Sequence, residues 1–295
     1  MVTAGAASSI TVAAAACLAG GDPKKVHRLP DTTGLKNEIV QQKSHRSGYE
    51  AQMLLTGAKI VWVETREETE QAINDRTAMM FFLNKADPDG KIQRQEWIEI
   101  GKKRGVPTFN DAAADVPPAS RLGQYVKEGF DLVTFSGGKG LFGPQCSGLL
   151  LGRQDLIEAG KQAISPHGGI GRGMKVGKEE MVGVLAAVER YLRVDHDAER
   201  REMEERAAHV LSVLAKVAGV KAEKHVPEIA NHVPHVKIEW EGKSTAREVV
   251  KQLIEGEPPI AVSQRGERGL TVSMWTLRGD EHKIVGRRLR EVLTA

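Results

Sequence analysis

The chain has 295 residues, 40% hydrophobic and 27% charged, so it is long enough to bury a substantial core and lies near the length at which one core divides into two. Lys and Arg number 42 against 39 Asp and Glu; the net +3, spread without a basic tail, gives no charge-based case for a nucleic-acid partner and leaves small or anionic ligands open. Two cysteines, Cys17 and Cys146, with no CxxC pair, argue against a disulfide scaffold or a structural zinc site; no metal is expected, and a reducing cytoplasm fits.

In chain order, a short strand at 1–3 runs into an Ala-rich helix at 8–19. The apolar run 10–19 lacks a basic leader and a good cleavage context, so it reads as a helix rather than an export signal. Nowhere is there an apolar run of about 18 residues, so no membrane span is expected. Strand 59–63, helix 66–73, strand 77–83, helix 93–104, strand 107–110, strand 132–135 and strand 147–151 follow. This alternation predicts an α/β fold, a mostly parallel sheet flanked by helices. Met181, Val184, Leu185, Val188, Tyr191 and Leu192 recur at helical spacing over 178–192, and the charged stretch 195–206 reads as the same helix continuing as a connector. Helix 207–217, strand 233–240, helix 245–254, strand 270–274 and helix 280–293 then predict a smaller α+β C-terminal domain. The expected division is a large domain at 1–196 and a small domain at 197–295.

Four stations in the first 180 residues carry possible chemistry. In Thr3-Ala4-Gly5-Ala6-Ala7-Ser8 a strand turns through small residues into a helix, which lets backbone N–H groups approach a phosphate; tight strand–helix packing explains the same residues. In Pro107-Thr108-Phe109-Asn110-Asp111-Ala112-Ala113 a carboxylate follows a buried strand; taken alone it reads as a helix N-cap, and it also suits a protonated cofactor ring nitrogen. In Phe135-Ser136-Gly137-Gly138-Lys139-Gly140 a lysine sits among glycines after an apolar strand. A bulky ligand could lie against that backbone, and a desolvated amine there would be an imine-forming nucleophile; a solvated lysine in a flexible turn is the plain alternative, and the P-loop spacing is absent. In Ser44-His45-Arg46-Ser47-Gly48-Tyr49, His45 is placed to stack on a flat ring and Arg46 to meet a carboxylate or phosphate, with a surface pair as the plain alternative. Asp87-Pro88-Asp89-Gly90 with Glu96 imitates part of a calcium loop, but Lys85 stands at its first position and the segment reads as a turn.

Taken together, the Gly5-Ala6-Ala7 turn, Asp111-Ala112-Ala113 and Ser136-Gly137-Gly138-Lys139 resemble pyridoxal-phosphate enzymes of the aspartate-aminotransferase fold. Within these, FSGGKGLFGPQCSGLLLG (135–152) and GRGMKVGKEEMVGVLAAVERY (171–191) are similar to the group containing selenocysteine synthase (L-seryl-tRNA(Sec) selenium transferase) and D-glucosaminate-6-phosphate ammonia-lyase. The resemblance covers nearly the whole chain. It implies pyridoxal 5'-phosphate as cofactor, held covalently by Lys139, which then serves as acid and base at the substrate Cα. It further implies Asp111 on the ring nitrogen, Ala113 beneath the ring, His45 above it, and Gly5, Ala6, Ala7 and Ser136 on the phosphate. Arg46 and Arg172 would bind substrate, with Lys175, Lys178 and Arg278 as further cations.

The implied reaction is lyase chemistry: a β-hydroxy amino acid or amino-sugar acid loses its β-hydroxyl and amino group, giving a 2-keto acid and ammonia. The alternative is selenium transfer on seryl-tRNA. Relatives carry a segment ahead of the phosphate turn at which this sequence begins, so a third reading is a shortened, non-catalytic protein of the same fold. The resemblance implies a homodimer or higher homo-oligomer, a small-molecule substrate in preference to tRNA, and no membrane association.

Overall fold

The computed structural model describes residues 1–294. It divides into two compact units: Met1–Val194 with Ile229–Asn231, and Asp195–Glu228 with the described residues from His232 onward. The return of three residues, 229–231, to the first unit has no local signature in the sequence.

The first unit is built from β1 (Val2–Thr3), α1 (Ala6–Ala19), α2 (Pro23–Arg28), β2 (Glu38–Gln42), α3 (Glu50–Leu54), β3 (Lys59–Val63), α4 (Arg66–Ala72), β4 (Thr77–Leu83), α5 (Arg94–Arg104), β5 (Thr108–Asp111), α6 (Arg121–Glu128), β6 (Leu132–Ser136), β7 (Gly148–Gly152), α7 (Gln154–Gln162) and α8 (Lys178–Arg193). Seven strands form one sheet in the order β1-β7-β6-β5-β4-β2-β3. The pairs β2/β3, β2/β4, β4/β5 and β5/β6 are parallel, while β7 is antiparallel to both β6 and β1. The expected mostly parallel sheet flanked by helices is therefore what forms. Its interior strand β4, TAMMFFL, is apolar on both faces because helices cover both. One face carries α1, whose apolar run is buried on nearly every side; its alanines let it lie close to the sheet and to α7, where a side chain at Gly160 would meet Val12 at 2.8 Å.

Strand β2 escapes the sequence pattern because only Ile39 and Val40 in it are apolar, yet all five residues are buried between β4 and β3. Its polar side chains are met by distant groups. Gln41 donates to the His45 carbonyl and to Glu50 at 2.9 Å each, Gln42 exchanges two hydrogen bonds with the Ile92 backbone, and Glu38 accepts from Asn74 and pairs with Arg76.

The expected connector helix is two helices. At Val194 the backbone is extended, and the Asp195 carboxylate caps a new helix by accepting the Ala198 N–H at 2.9 Å. This helix, α9 (His196–Leu214), absorbs both the charged stretch 195–206 and most of the separate helix expected at 207–217. The second unit continues with β8 (Val220–His225), β9 (His235–Trp240), α10 (Ala246–Ile254), β10 (Ser263–Gln264), β11 (Gly269–Ser273) and α11 (Glu281–Thr294). Its four strands form an antiparallel sheet, β10-β11-β9-β8. Val236, Ile238, Leu270 and Val272 pack with Ala207, Val210 and Leu214 of α9 and Leu289 of α11, an α+β arrangement. Among the described residues no helix is long and apolar enough to cross a membrane.

Candidate active site

Strands β4, β5 and β6 lie side by side and parallel, so their C-terminal residues Leu83, Asp111 and Ser136 come to one edge of the sheet. Strand β1 runs the same way as β6, because each is antiparallel to β7, and brings the start of α1 to that edge. A cavity of about 340 Å³ opens there, lined by Gly5, Ala6, Ala7, Asp111, Ala113, Ser136 and Lys139 among others.

The α1 end of the cavity is a turn that only glycine adopts easily. Gly5 has φ +96° and no side-chain cap closes the helix, so the first-turn N–H groups have no intrahelical acceptor. The buried Ser8 hydroxyl in that turn also has no hydrogen-bond partner. The turn lies flush on β7 because residue 148 is glycine: a Cβ there would meet the Gly5 carbonyl carbon at 2.6 Å. An uncapped helix start with a spare hydroxyl suits a phosphate.

Across the cavity, Asp111 is 5% exposed and its Oδ1 accepts the Ala113 N–H at 3.1 Å. Burial pushes this carboxyl up to about 6, against the opposing pull of the Ala113 N–H and of Lys139; Asp115 nearby adds to the rise. A buried acid of this kind is stabilised by a proton-bearing ring nitrogen. Residues 112–113 are pinned to β6, the Ala112 N–H donating to the Thr134 carbonyl and the Ser136 N–H to the Ala113 carbonyl.

Lys139 departs from the sequence argument in one respect. Its side chain is exposed on the cavity rather than desolvated. The preceding glycines serve the loop's own packing instead of ligand approach: a Cβ at Gly137 would meet the Ser147 hydroxyl at 2.1 Å, and one at Gly138 the Gln145 Cα at 2.7 Å. They fold the loop 137–147 onto itself and so fix the backbone that carries Lys139.

Six expected residues, His45, Arg46, Arg172, Lys175, Lys178 and Arg278, are not on the cavity lining. His45 is fully buried, with its ring edge-on to Phe82 at 4.4 Å, so no open ring face remains to stack on a cofactor. Its Nδ1 accepts the Leu83 N–H at 3.2 Å, its ring also bonds the Ala86 carbonyl, and burial lowers its pKa to about 4. It braces the end of β4 from behind. The Arg46 guanidinium lies 5.4 Å over the Trp62 ring, a cation–π contact that occupies its charge elsewhere. Arg172 is exposed and lies outside the lining, and Arg278 is an exposed residue of the second unit. The calcium-like segment is a 3-10 turn, Asn84–Asp89, in which the Asp87 carboxylate pairs with Arg94 at 3.1 Å.

The lining contains residues to which the sequence assigned no role: Tyr49, Leu83, Lys85, Asp115, Ala230 and Asn231. Leu83 and Lys85 had a usable signal, since Leu83 ends a buried parallel strand and Lys85 lies two residues beyond it. Ala230 and Asn231 had none. Asp115 is 1% exposed; its Oδ1 accepts the Ala230 N–H and its Oδ2 the Asn84 side-chain amide, both at 2.8 Å.

The family model SelA, L-seryl-tRNA selenium transferase, matches residues 53–235. A 5'-C-glycyluridine monooxygenase-decarboxylase from a Streptomyces species is 34% identical over 310 residues, spanning 98% of this chain and 75% of that one. D-glucosaminate-6-phosphate ammonia lyase of Salmonella typhimurium is 28% identical, spanning 99% of this chain and 80% of that one. The solved structure of a D-glucosaminate-6-phosphate ammonia-lyase superposes with a TM-score of 0.82 at 27% identity, covering 99% of this chain and 80% of that one.

Proposed function

Because the chain belongs to the SelA, L-seryl-tRNA selenium transferase, family, we propose that it is a pyridoxal-phosphate-dependent lyase. It removes the β-hydroxyl and the amino group of a β-hydroxy amino acid or amino-sugar acid, releasing a 2-keto acid and ammonia. One observation carries this reading: Lys139 and the buried Asp111 line a single cavity whose other end is the uncapped start of α1. The reactions named for the two relatives differ, but the compounds named share one feature. Glucosaminate is a 2-amino-3-hydroxy acid, and a glycyl group on C5' of uridine is likewise an amino acid next to a hydroxyl-bearing carbon.

Bound pyridoxal phosphate supplies an aldehyde that condenses with amines and a ring that accepts an electron pair from the substrate Cα. The α1 N-terminus, with Gly5, Ala6, Ala7 and Ser136, binds its phosphate. Asp111 holds the proton on the ring nitrogen, which keeps the ring electron-poor. Ala113 packs against the ring. The Lys139 amine would hold the cofactor's aldehyde group and, at the substrate Cα, would take the proton and return it to the departing β-oxygen. The step balances: hydroxyl leaves as water, and one water returns to release ammonia and the keto acid.

Two copies associate in this reading. Helix α8 turns a second apolar stripe, Met181, Leu185 and Leu192 with Val182, toward solvent, and these side chains are 43–67% exposed. Cys17 and Cys146 are unpaired, in keeping with a reducing compartment such as the cytoplasm.

The test is the purified protein with added cofactor. It should become yellow, release ammonia and keto acid from β-hydroxy amino acids or amino-sugar acids, and lose colour and activity in Lys139→Ala. Colour without ammonia would point to selenium transfer, decided by salt-sensitive binding of seryl-tRNA, or to a fold without turnover.

A further inference from the structure

The substrate class proposed above carries a carboxylate on the carbon where bonds break, and a cavity that works on it needs a cation for that group. Arg46 and Arg172 are not on the lining. The lining holds two cations, Lys85 and Lys139, and Lys139 is committed to the cofactor and to proton transfer. Of the two lining acids, Asp111 is tied to the Ala113 N–H and faces Lys139, and Asp115 is tied to Asn84 and Ala230. Neither is paired with Lys85.

Lys85 is held in place by its neighbours while its own amine is uncommitted. Asn84 is fully buried; it donates to Asp115 at 2.8 Å and to the Tyr125 hydroxyl at 2.9 Å, and accepts from Asn110 at 3.1 Å. Two residues on, Asp87 is fixed by Arg94, through both its side chain and its backbone N–H. The backbone at 85 is thus clamped on both sides at the end of β4, and among the described residues the ammonium has neither an ion pair nor a hydrogen bond to a side chain or backbone group. An exposed lysine on an ordinary surface swings freely. This one has a fixed root at the mouth of a cavity.

We propose that Lys85 is the residue that binds the substrate carboxylate, and so restricts the enzyme to amino acids that carry one. The inference rests on the lyase reading. Charge-assisted pairing of an ammonium with a carboxylate orients the substrate so that its Cα–H faces Lys139.

The test uses the cofactor-loaded protein, wild type beside Lys85→Met, Lys85→Arg and Lys85→Glu, with binding read from the cofactor absorbance. The probes are serine, as both enantiomers, 2-aminoethanol, which is serine without the carboxylate, and inorganic phosphate as a competitor. Lys85→Met should weaken the better serine enantiomer by roughly tenfold to a hundredfold, leave 2-aminoethanol within about twofold, and Lys85→Arg should restore most of the difference. Lys85→Glu should repel serine further. Rising salt should weaken serine in the wild type and have less effect in Lys85→Met. Unchanged serine binding in Lys85→Met, equal losses for serine and 2-aminoethanol, or no preference of the wild type for serine would each overturn the assignment. Loss of phosphate competition alone would also overturn it, by giving Lys85 to a phosphate. A wild type that takes up no pyridoxal phosphate sinks the lyase reading itself; cofactor uptake with an unaltered Lys85→Met removes only Lys85.

Discussion

Asp115 accepts a hydrogen bond from the Ala230 N–H at 2.8 Å across 115 residues of sequence. Beside it the Asn231 N–H donates to the Ala114 carbonyl at 2.7 Å. Together these bonds place residues 230 and 231, both in left-handed backbone conformation, on the wall of the active-site cavity. Both Asp115 oxygens face donors, so an amide in its place would set an N–H₂ against either Ala230 or Asn84. Asp115→Asn should therefore lower stability by roughly 1–3 kcal/mol and raise KM more than it lowers kcat, with cofactor uptake retained. Urea unfolding and steady-state kinetics check this; an unchanged KM would show that the 230–231 wall does not bear on substrate.

His45 and Tyr49 should divide stability and cofactor binding between them. His45→Ala opens a hole against Phe82 and leaves the buried Leu83 N–H without an acceptor, at a cost of about 2–4 kcal/mol in stability. Tyr49 is 50% exposed and lies on the lining, so Tyr49→Ala should leave stability within about 0.5 kcal/mol and weaken pyridoxal phosphate instead. Thermal unfolding without cofactor and a cofactor titration separate the two. Equal cofactor affinities in the two variants would contradict the assignment.

Asp111 and His45 pull the pH dependence of stability in opposite directions. The Asp111 carboxyl is raised from 3.8 to about 6, so its stabilising contribution is complete below about pH 4 and is lost as pH rises through 6. His45 is lowered from 6.5 to about 4, so its contribution is present above 6.5 and is lost as pH falls through 4. Each is worth roughly 3 kcal/mol, and the cofactor-free wild type should be nearly level between pH 4 and 6. Asp111→Asn removes one limb. It should match the wild type near pH 4, gain stability with rising pH, and exceed it by roughly 3 kcal/mol above pH 7. Urea unfolding from pH 4 to 8 measures this, and parallel curves for the two proteins would refute the burial of an ionising Asp111.

Gly138→Ala should displace the loop that carries Lys139. The added Cβ would stand 2.7 Å from the Gln145 Cα, a backbone atom that yields only if the loop opens. The expected outcome is a loss of about 1–3 kcal/mol and a weakened or absent yellow complex, read by unfolding and absorbance. Gly173→Ala, where no atom lies within 4 Å of the new Cβ, is the control and should change neither.

Leu185→Glu places a charge in the exposed apolar stripe of α8. If two copies meet there, light scattering should show the assembly dissociating while the unfolding midpoint of dilute protein stays close to that of the wild type. An unchanged mass would remove this face as the interface.

The amino-acid sequence by itself determined the parallel sheet, because strands such as 77–83 are apolar on both faces and the helices between them repeat at helical spacing, both of which are local patterns. It also determined that Gly5, Asp111 and Lys139 each follow a strand, and parallel strands must end at one edge. What only the tertiary structure decided is set by groups far apart in the chain. Strand β2 is buried although three of its five residues are polar, because Glu50, Ile92 and Asn74 hydrogen-bond to them. His45 lies behind the cavity and Lys85 on it, since both answer to the end of β4 rather than to their own neighbours. Ala230 reaches the cavity through a hydrogen bond to Asp115 that no local periodicity encodes, as the energy of such a contact depends on what is brought together in space and not on spacing along the chain.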